Sequence, residues 1–241
     1  MMKSYLEAPA LRDVNSVARA IFMDGRVRDE AGLSHPVTAE LSEKHADALF
    51  RAVLAARPRT VVEIGMAHGI STLAILSALR EIGEGGRLVS IDPHQSTGFG
   101  AIGQANVRRA GLADSHELIE DYDFNALPSL LKDGLVVDFG YIDGWHTFDY
   151  ALLDFWYLDK MLRPGGVMGF NDCGYRAVAK VLRFVHTHRR YRELDVGLKP
   201  DYRGRHPGVT LARRLLRLSQ SDRYFQKVEQ WEPAWNFYAP F

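Results

Sequence analysis

Thr60-Val61-Val62-Glu63-Ile64-Gly65-Met66-Ala67-His68-Gly69 is the stretch that decides the fold of this chain. Its first five residues are mostly β-branched, which suits a short strand on a pleated surface. Two glycines follow at a spacing of four, and residues 71–80 then read as a helix. Gly65 lets backbone approach a ligand closely, and Gly69 allows a tight strand-to-helix turn.

The same rhythm runs downstream. Short apolar strands are read at 87–91, 117–119, 135–142 and 167–170. Helices are read at 101–110, stopped by Gly111, at 127–131, at 149–161, stopped by Pro164-Gly165-Gly166, and at 175–188. Strand and helix alternating five times predict a doubly wound parallel sheet, with right-handed crossovers placing helices on both faces. The tail breaks the rhythm: a sixth strand at 191–196, a helix at 209–218, a seventh strand at 223–230, then an aromatic, proline-interrupted end that pairs as a hairpin or lies over the domain. Upstream, Leu41, His45, Leu49, Val53 and Leu54 fall at helical spacing in a pattern beginning at Thr38, with Ser42 as local N-cap and an end near Arg57-Pro58. Residues 24–36 read as a loop, and 1–24 hold a short amphipathic helix. The whole is expected to be one domain over 1–241, with an N-terminal helical and loop extension (1–37) and a C-terminal substrate-side insertion with its aromatic tail (197–241).

Composition narrows the function. Thirty Lys and Arg balance thirty Asp and Glu, so no global charge calls for nucleic acid or an anionic membrane. The balance is uneven: residues 174–241 carry 14 basic against 6 acidic side chains. That basic tail faces an anionic substrate or simply neutralises an acidic core domain. The single cysteine, Cys173, excludes an intrachain disulfide and a cysteine-based metal site. No apolar run reaches the roughly 18 residues of a spanning helix, and the N-terminus does not read as a signal peptide. A cytoplasmic protein is expected, without membrane or nucleic-acid partners; a homo-oligomer is compatible with the sequence.

In an open parallel sheet, ligands bind beyond the C-terminal strand ends, where strand order reverses. Glu63, Gly65, Met66 and Gly69 therefore become cofactor-side candidates. Asp92 ends the second strand, where a carboxylate can accept ribose hydroxyls. Glycine-rich turns followed by acids occur in many α/β proteins, but the spacing here is neither G-x-G-x-x-G nor a lysine-bearing P-loop. Glu63, inside the strand, suits a ligand with a positive end, such as a sulfonium amino acid.

At 61–69 and 89–92 the sequence resembles motifs I and II of class I S-adenosylmethionine-dependent methyltransferases. Tyr141-Ile142-Asp143-Gly144-Trp145-His146 and Leu162-Arg163-Pro164-Gly165-Gly166 are similar to the group that includes macrocin O-methyltransferase and the cephalosporin-cluster methyltransferase-like proteins. The resemblance spans roughly residues 40–195. It implies a Rossmann-like seven-stranded sheet of order 3-2-1-4-5-7-6, last strand antiparallel. It also implies Gly65 at the methionine moiety, Asp92 on the ribose and Asp121 near the adenine.

In that order the strands ending at Asp143 and at Asn171-Asp172 are neighbours, about 4.8 Å apart. Oxygen-bearing side chains meeting there suit Mg²⁺ rather than zinc. The resemblance implies Asp143 and Asp172 as metal ligands and His146 as general base. Asn171 stands where the family often has a second acid; as a ligand, its neutral amide keeps the coordination but lowers the charge of the site. His146 also admits a structural reading, between Trp145 and Tyr150, and His68 of the cofactor loop is either near substrate or merely solvated. Methyl transfer to a hydroxyl needs an oxyanion-like nucleophile, which a cation stabilises and an imidazole with pKa near ~6.5 deprotonates. The expected reaction is O-methylation of a small-molecule or saccharide acceptor, against two rivals: a metal-independent small-molecule or RNA methyltransferase, and a non-catalytic cofactor-binding protein.

Overall fold

A computed structural model describes residues 8–38, 41–216 and 218–241. Where a short helix was expected within 1–24, the described part holds two, α1 (Leu11–Val14) and α2 (Ser16–Asp24); residues 1–7 lie outside the described residues. Asn15 divides them, because its side chain accepts from the amides of Val17 and Ala18 and so caps α2. Residues 24–36, expected as a loop, instead hold an antiparallel ribbon of β1 (Arg26–Arg28) and β2 (Ser34–Pro36). Its one buried apolar side chain, Val27, is too little to write an alternating pattern. Helix α3 (Glu43–Ala56) starts later than Thr38, at its Ser42 cap, and ends at Arg57, whose φ of 47° precedes Pro58.

The strands and helices that follow are β3 (Thr60–Ile64), α4 (Ile70–Ile82), β4 (Arg87–Ile91), α5 (Ile102–Arg109), β5 (His116–Ile119), α6 (Asp123–Lys132), β6 (Val137–Ile142), α7 (Phe148–Met161), β7 (Leu162–Phe170), α8 (Arg176–His188), β8 (Tyr191–Leu194), α9 (Pro207–Leu216) and β9 (Arg223–Lys227). The sheet runs β5-β4-β3-β6-β7-β9-β8, with β9 antiparallel to both neighbours. Numbered within the sheet this is 3-2-1-4-5-7-6, the Rossmann-like order expected. Several boundaries differ by a few residues, and the fifth strand's start has a clear cause. Pro164-Gly165-Gly166 was expected to precede the fifth strand but lies inside β7, whose pairing with β6 jumps from Val137↔Leu162 to Phe139↔Val167. A proline has no N–H for the ladder, so the irregularity falls where the sequence cannot pair.

Two apolar layers cover the sheet. One joins Val61, Leu88 and Phe139 to α3 and α4; the other joins Val62, Val89 and Met168 to α6, α7 and α8. At the β8–β9 end of the sheet, the buried Asp159 carboxylate accepts from Arg189 Nε at 2.7 Å and from the Tyr191 hydroxyl at 2.7 Å, and lies 3.2 Å from Lys227 Nζ. Charges so enclosed persist only when mutually satisfied, and this set ties β8 and β9 to α7. The aromatic end lies over α8, with Phe241 against Phe184 and His188. Among the described residues, no helix is long and apolar enough to cross a membrane.

Candidate active site

The ends of β3, β4, β6 and β7 open into a cavity of about 640 Å³, within the range of small-molecule sites. Its floor is the turn after β3. Gly65 has φ 84°, and a Cβ there would lie 2.1 Å from the Asp143 carbonyl oxygen, so only glycine lets the two loops cross. Gly69, φ 80°, opens α4; a Cβ there would sit 3.1 Å from Gly103 Cα, so it also admits α5.

Asp92 latches this turn. Its Oδ2 accepts from the amides of Met66 (3.0 Å) and Ala67 (2.7 Å) and from Gln95 Nε2 (3.0 Å). Its Oδ1 accepts from the His94 amide at 2.8 Å and retains capacity for a further donor, since a carboxylate has about four acceptor sites. Asp92, Gly65 and Met66 line the cavity, with His68, Phe99, Tyr122 and Tyr150 around them. Burial holds the His68 imidazole below its ordinary pKa.

Three expected cofactor residues stand away from the wall. Glu63 is fully buried, and its Oε2 accepts from Thr72 Oγ1 and Ser90 Oγ, each at 2.7 Å. Burial pushes its pKa up to about 7, against the pull of those hydroxyls. It braces β3 against α4 and β4 instead of facing a positive ligand. Gly69 is the N-cap of α4 and is not among the residues that line the cavity. Asp121 is exposed and accepts from the Tyr122 amide (2.7 Å) and Asn125 Nδ2 (3.0 Å), while Tyr122 and Asp123 line the cavity in its place.

The other wall carries the polar centre. Past the strand ends, the Asp143 amide donates to Ile64 O (2.9 Å) and the Asn171 amide to Ile142 O (3.0 Å), so the ladder itself aligns these residues. His146 Nε2 lies 3.1 Å from Asp172 Oδ2 and 3.7 Å from Asp143 Oδ1, ion-pair distances without a directed hydrogen bond. Its ring stacks on Tyr175 at 5.1 Å. Burial opposes charge on this imidazole, but the two carboxylates outweigh it and hold its pKa at about 9. Burial raises the Asp143 pKa. Asp172 holds φ 50°, an unusual conformation for a residue with a side chain.

Asp143, His146 and Asp172 each offer one donor atom within 4.8 Å of the others. The two carboxylates suit a divalent cation, and His146 Nε2, buried without a hydrogen bond, stands beside them. Asn171, expected among the ligands, braces them: its Nδ2 donates to Asp143 Oδ2 at 3.0 Å, and its Oδ1 accepts from the Asp172 amide.

Sequence reasoning missed Gln95, which bridges Ala67 O and Asp92, and Asp222, buried beside the centre. Asp222 accepts from the Tyr141 hydroxyl at 3.0 Å and lies 3.5 Å from His45 Nδ1. Gln95, three residues past Asp92, follows a recognisable strand end; Asp222, 79 residues past Asp143, has no local signal.

Residues 62–173 match the sequence model of a family described as a methyltransferase domain. No curated protein matches the chain. The fold is shared with cofactor-bound Rv0187 from MTB (18% identity, 92% of this chain and 91% of that one, TM-score 0.63). It is also shared with the O-methyltransferase TomG of Streptomyces achromogenes, involved in tomaymycin synthesis and solved with SAM (17%, 92% and 91%, TM-score 0.63). An O-methyltransferase from Bacillus cereus, solved with SAH, is similar over 95% of this chain and 100% of its own (18%, TM-score 0.64).

Proposed function

We propose that this chain is an S-adenosylmethionine-dependent O-methyltransferase acting on a hydroxyl of a sugar, glycoside or other small natural product with the help of Mg²⁺. The observation that carries the reading is one cavity with a latched, glycine-floored turn on one wall and the Asp143–His146–Asp172 cluster on the other. A methyl donor and a hydroxyl acceptor need that adjacency.

The chain's own groups divide the work. Asp92 fixes the turn and offers Oδ1 to a ribose hydroxyl, while Gly65 leaves room for the donor's amino-acid end. Aromatic side chains at Phe99, Tyr122 and Tyr150 exclude water and suit the flat face of a base. His146 takes the acceptor proton on Nε2, and its stack on Tyr175 fixes the ring plane. Mg²⁺ seated on Asp143 and Asp172 would neutralise the charges that keep His146 protonated and stabilise the acceptor's developing negative oxygen. Asn171 keeps Asp143 oriented. Holding both reactants at attack distance supplies much of the remaining acceleration.

Within this reading, 1–241 is one catalytic domain, 1–37 an extension, and 197–241 the substrate-side insertion and tail. The resemblance to the macrocin group favours a saccharide acceptor. The test is transfer of labelled methyl from S-adenosylmethionine to a panel of glycosides and phenols with and without Mg²⁺. Cation-stimulated transfer to a hydroxyl is expected; transfer only to nitrogen, or none to any acceptor despite donor binding, would overturn it.

A further inference from the structure

Helix α9 lies in the crossover between β8 and β9, outside the catalytic centre, and none of its described residues is buried. Its large aliphatics face solvent: Val209 is 42% exposed, Leu211 59%, Leu215 76% and Leu216 46%. At about 100° per residue, these four and Ala212 fall within a sector of about 160°, and Arg213 and Arg214 flank it on opposite sides. The surroundings are mostly basic, with Arg203 paired to Asp201 at 2.6 Å. Residues 202–217 contain Arg203, Arg205, Arg213, Arg214 and Arg217 and no acidic residue.

An exposed apolar stripe rimmed by arginines has two natural occupants, a second copy or an anionic lipid surface. Symmetry counts against the copy. A two-fold contact sets a patch on itself, which would bring the arginines of one α9 against those of the other. A bilayer carrying acidic headgroups complements both halves: leucines enter the acyl boundary, and arginines stay at headgroup level. The zero net charge of the chain hides this, because the acidic balance lies before residue 174.

We infer that α9 is a peripheral docking helix for an anionic membrane surface. The inference stands apart from the chemistry assigned to the cavity. The test is co-sedimentation of the full chain with phosphatidylcholine vesicles, with and without about 30% phosphatidylglycerol. Binding should be at least about tenfold stronger to the anionic vesicles and should fall as salt is raised. Leu211→Glu with Leu215→Glu, and separately Arg213→Glu with Arg214→Glu, should abolish it while circular dichroism and S-adenosylhomocysteine binding stay unchanged. A milder Leu215→Gln should weaken it. Equal affinity for both vesicle types, no binding to either, or variants that bind like the wild type would overturn the assignment. So would a concentration-dependent dimer in sedimentation velocity that the leucine substitutions dissolve.

Discussion

Gly65→Ala is the most incisive single change. The new methyl would sit 2.1 Å from the Asp143 carbonyl oxygen and 2.7 Å from its carbon, both backbone atoms that no rotamer can withdraw. Ordinary contact begins at 3.4 Å, so the loops after β3 and β6 must part by more than 1 Å. That movement strains the bonds from Asp143 N to Ile64 O and from Gly65 N to Ile91 O, both 2.9 Å. Losing them costs about 1 kcal/mol each, and an L-residue at φ 84° costs roughly 1–2 kcal/mol more. The sum is about 3–4 kcal/mol, which for a chain of this size lowers Tm by roughly 6–16 °C. The same displacement separates the donor wall from the acceptor wall, and 1 Å of misplacement costs about 10² in rate. Gly32→Ala is the control: φ is 82°, nothing lies within 4 Å, and only the backbone strain should appear. Thermal melts, calorimetry with S-adenosylhomocysteine and initial rates read all three effects. A Gly65→Ala protein that melts, binds and turns over like Gly32→Ala would refute the reasoning.

Asp92→Ala should weaken S-adenosylmethionine binding at least about tenfold, by the worth of a charged hydrogen bond, and also lower Tm, since the four donors it satisfies lose their acceptor; unchanged affinity in calorimetry would remove it from the donor site. His146→Ala should lower kcat by about 10²–10⁴ with donor affinity nearly constant; a mutant that instead melts early and keeps kcat would make the histidine structural. Excess EDTA should suppress turnover, and Mg²⁺ should restore it, whereas full activity under chelation leaves His146 as the sole activating group. Glu63 has a folded pKa near 7 against an ordinary 4.5, so the buried acid favours the folded state fully below pH 4.5 and loses that contribution as pH rises through 7. Denaturant titrations of Glu63→Gln should therefore lack a decline on the order of 3 kcal/mol over that window; an identical pH profile would show that Glu63 does not titrate there.

The doubly wound parallel sheet was legible because alternating strands and helices are local patterns, and its strand order came from the resemblance. The resemblance added the antiparallel last strand. Gly65 and Asp92 were legible for the same reason: both sit at strand ends, and the end of a strand is where a parallel sheet presents its groups. Side-chain direction was not. Val62, Glu63 and Ile64 are all buried, so period-two alternation gives no inward or outward assignment, and Glu63 turned toward Thr72 and Ser90 instead of the cavity. Asp121 missed the wall by one residue, because Tyr122 and Asp123 at the start of α6 face inward. Asn171 was placed correctly by its strand, yet its side-chain amide turned to Asp143 and the Asp172 amide. The ribbon at β1 and β2 escaped because three residues per strand carry too little periodicity. Asp222 escaped because antiparallel pairing, Phe170↔Arg223, brings it beside the polar end of the cavity from far along the chain.

Calorimetric titration of the purified chain with S-adenosylmethionine, S-adenosylhomocysteine and NAD tests the central claim most directly. The account predicts one site per chain for the two sulfur compounds, competitive with each other and weakened in Asp92→Ala, and no heat with NAD. Saturable binding of NAD with none of either sulfur compound would contradict it.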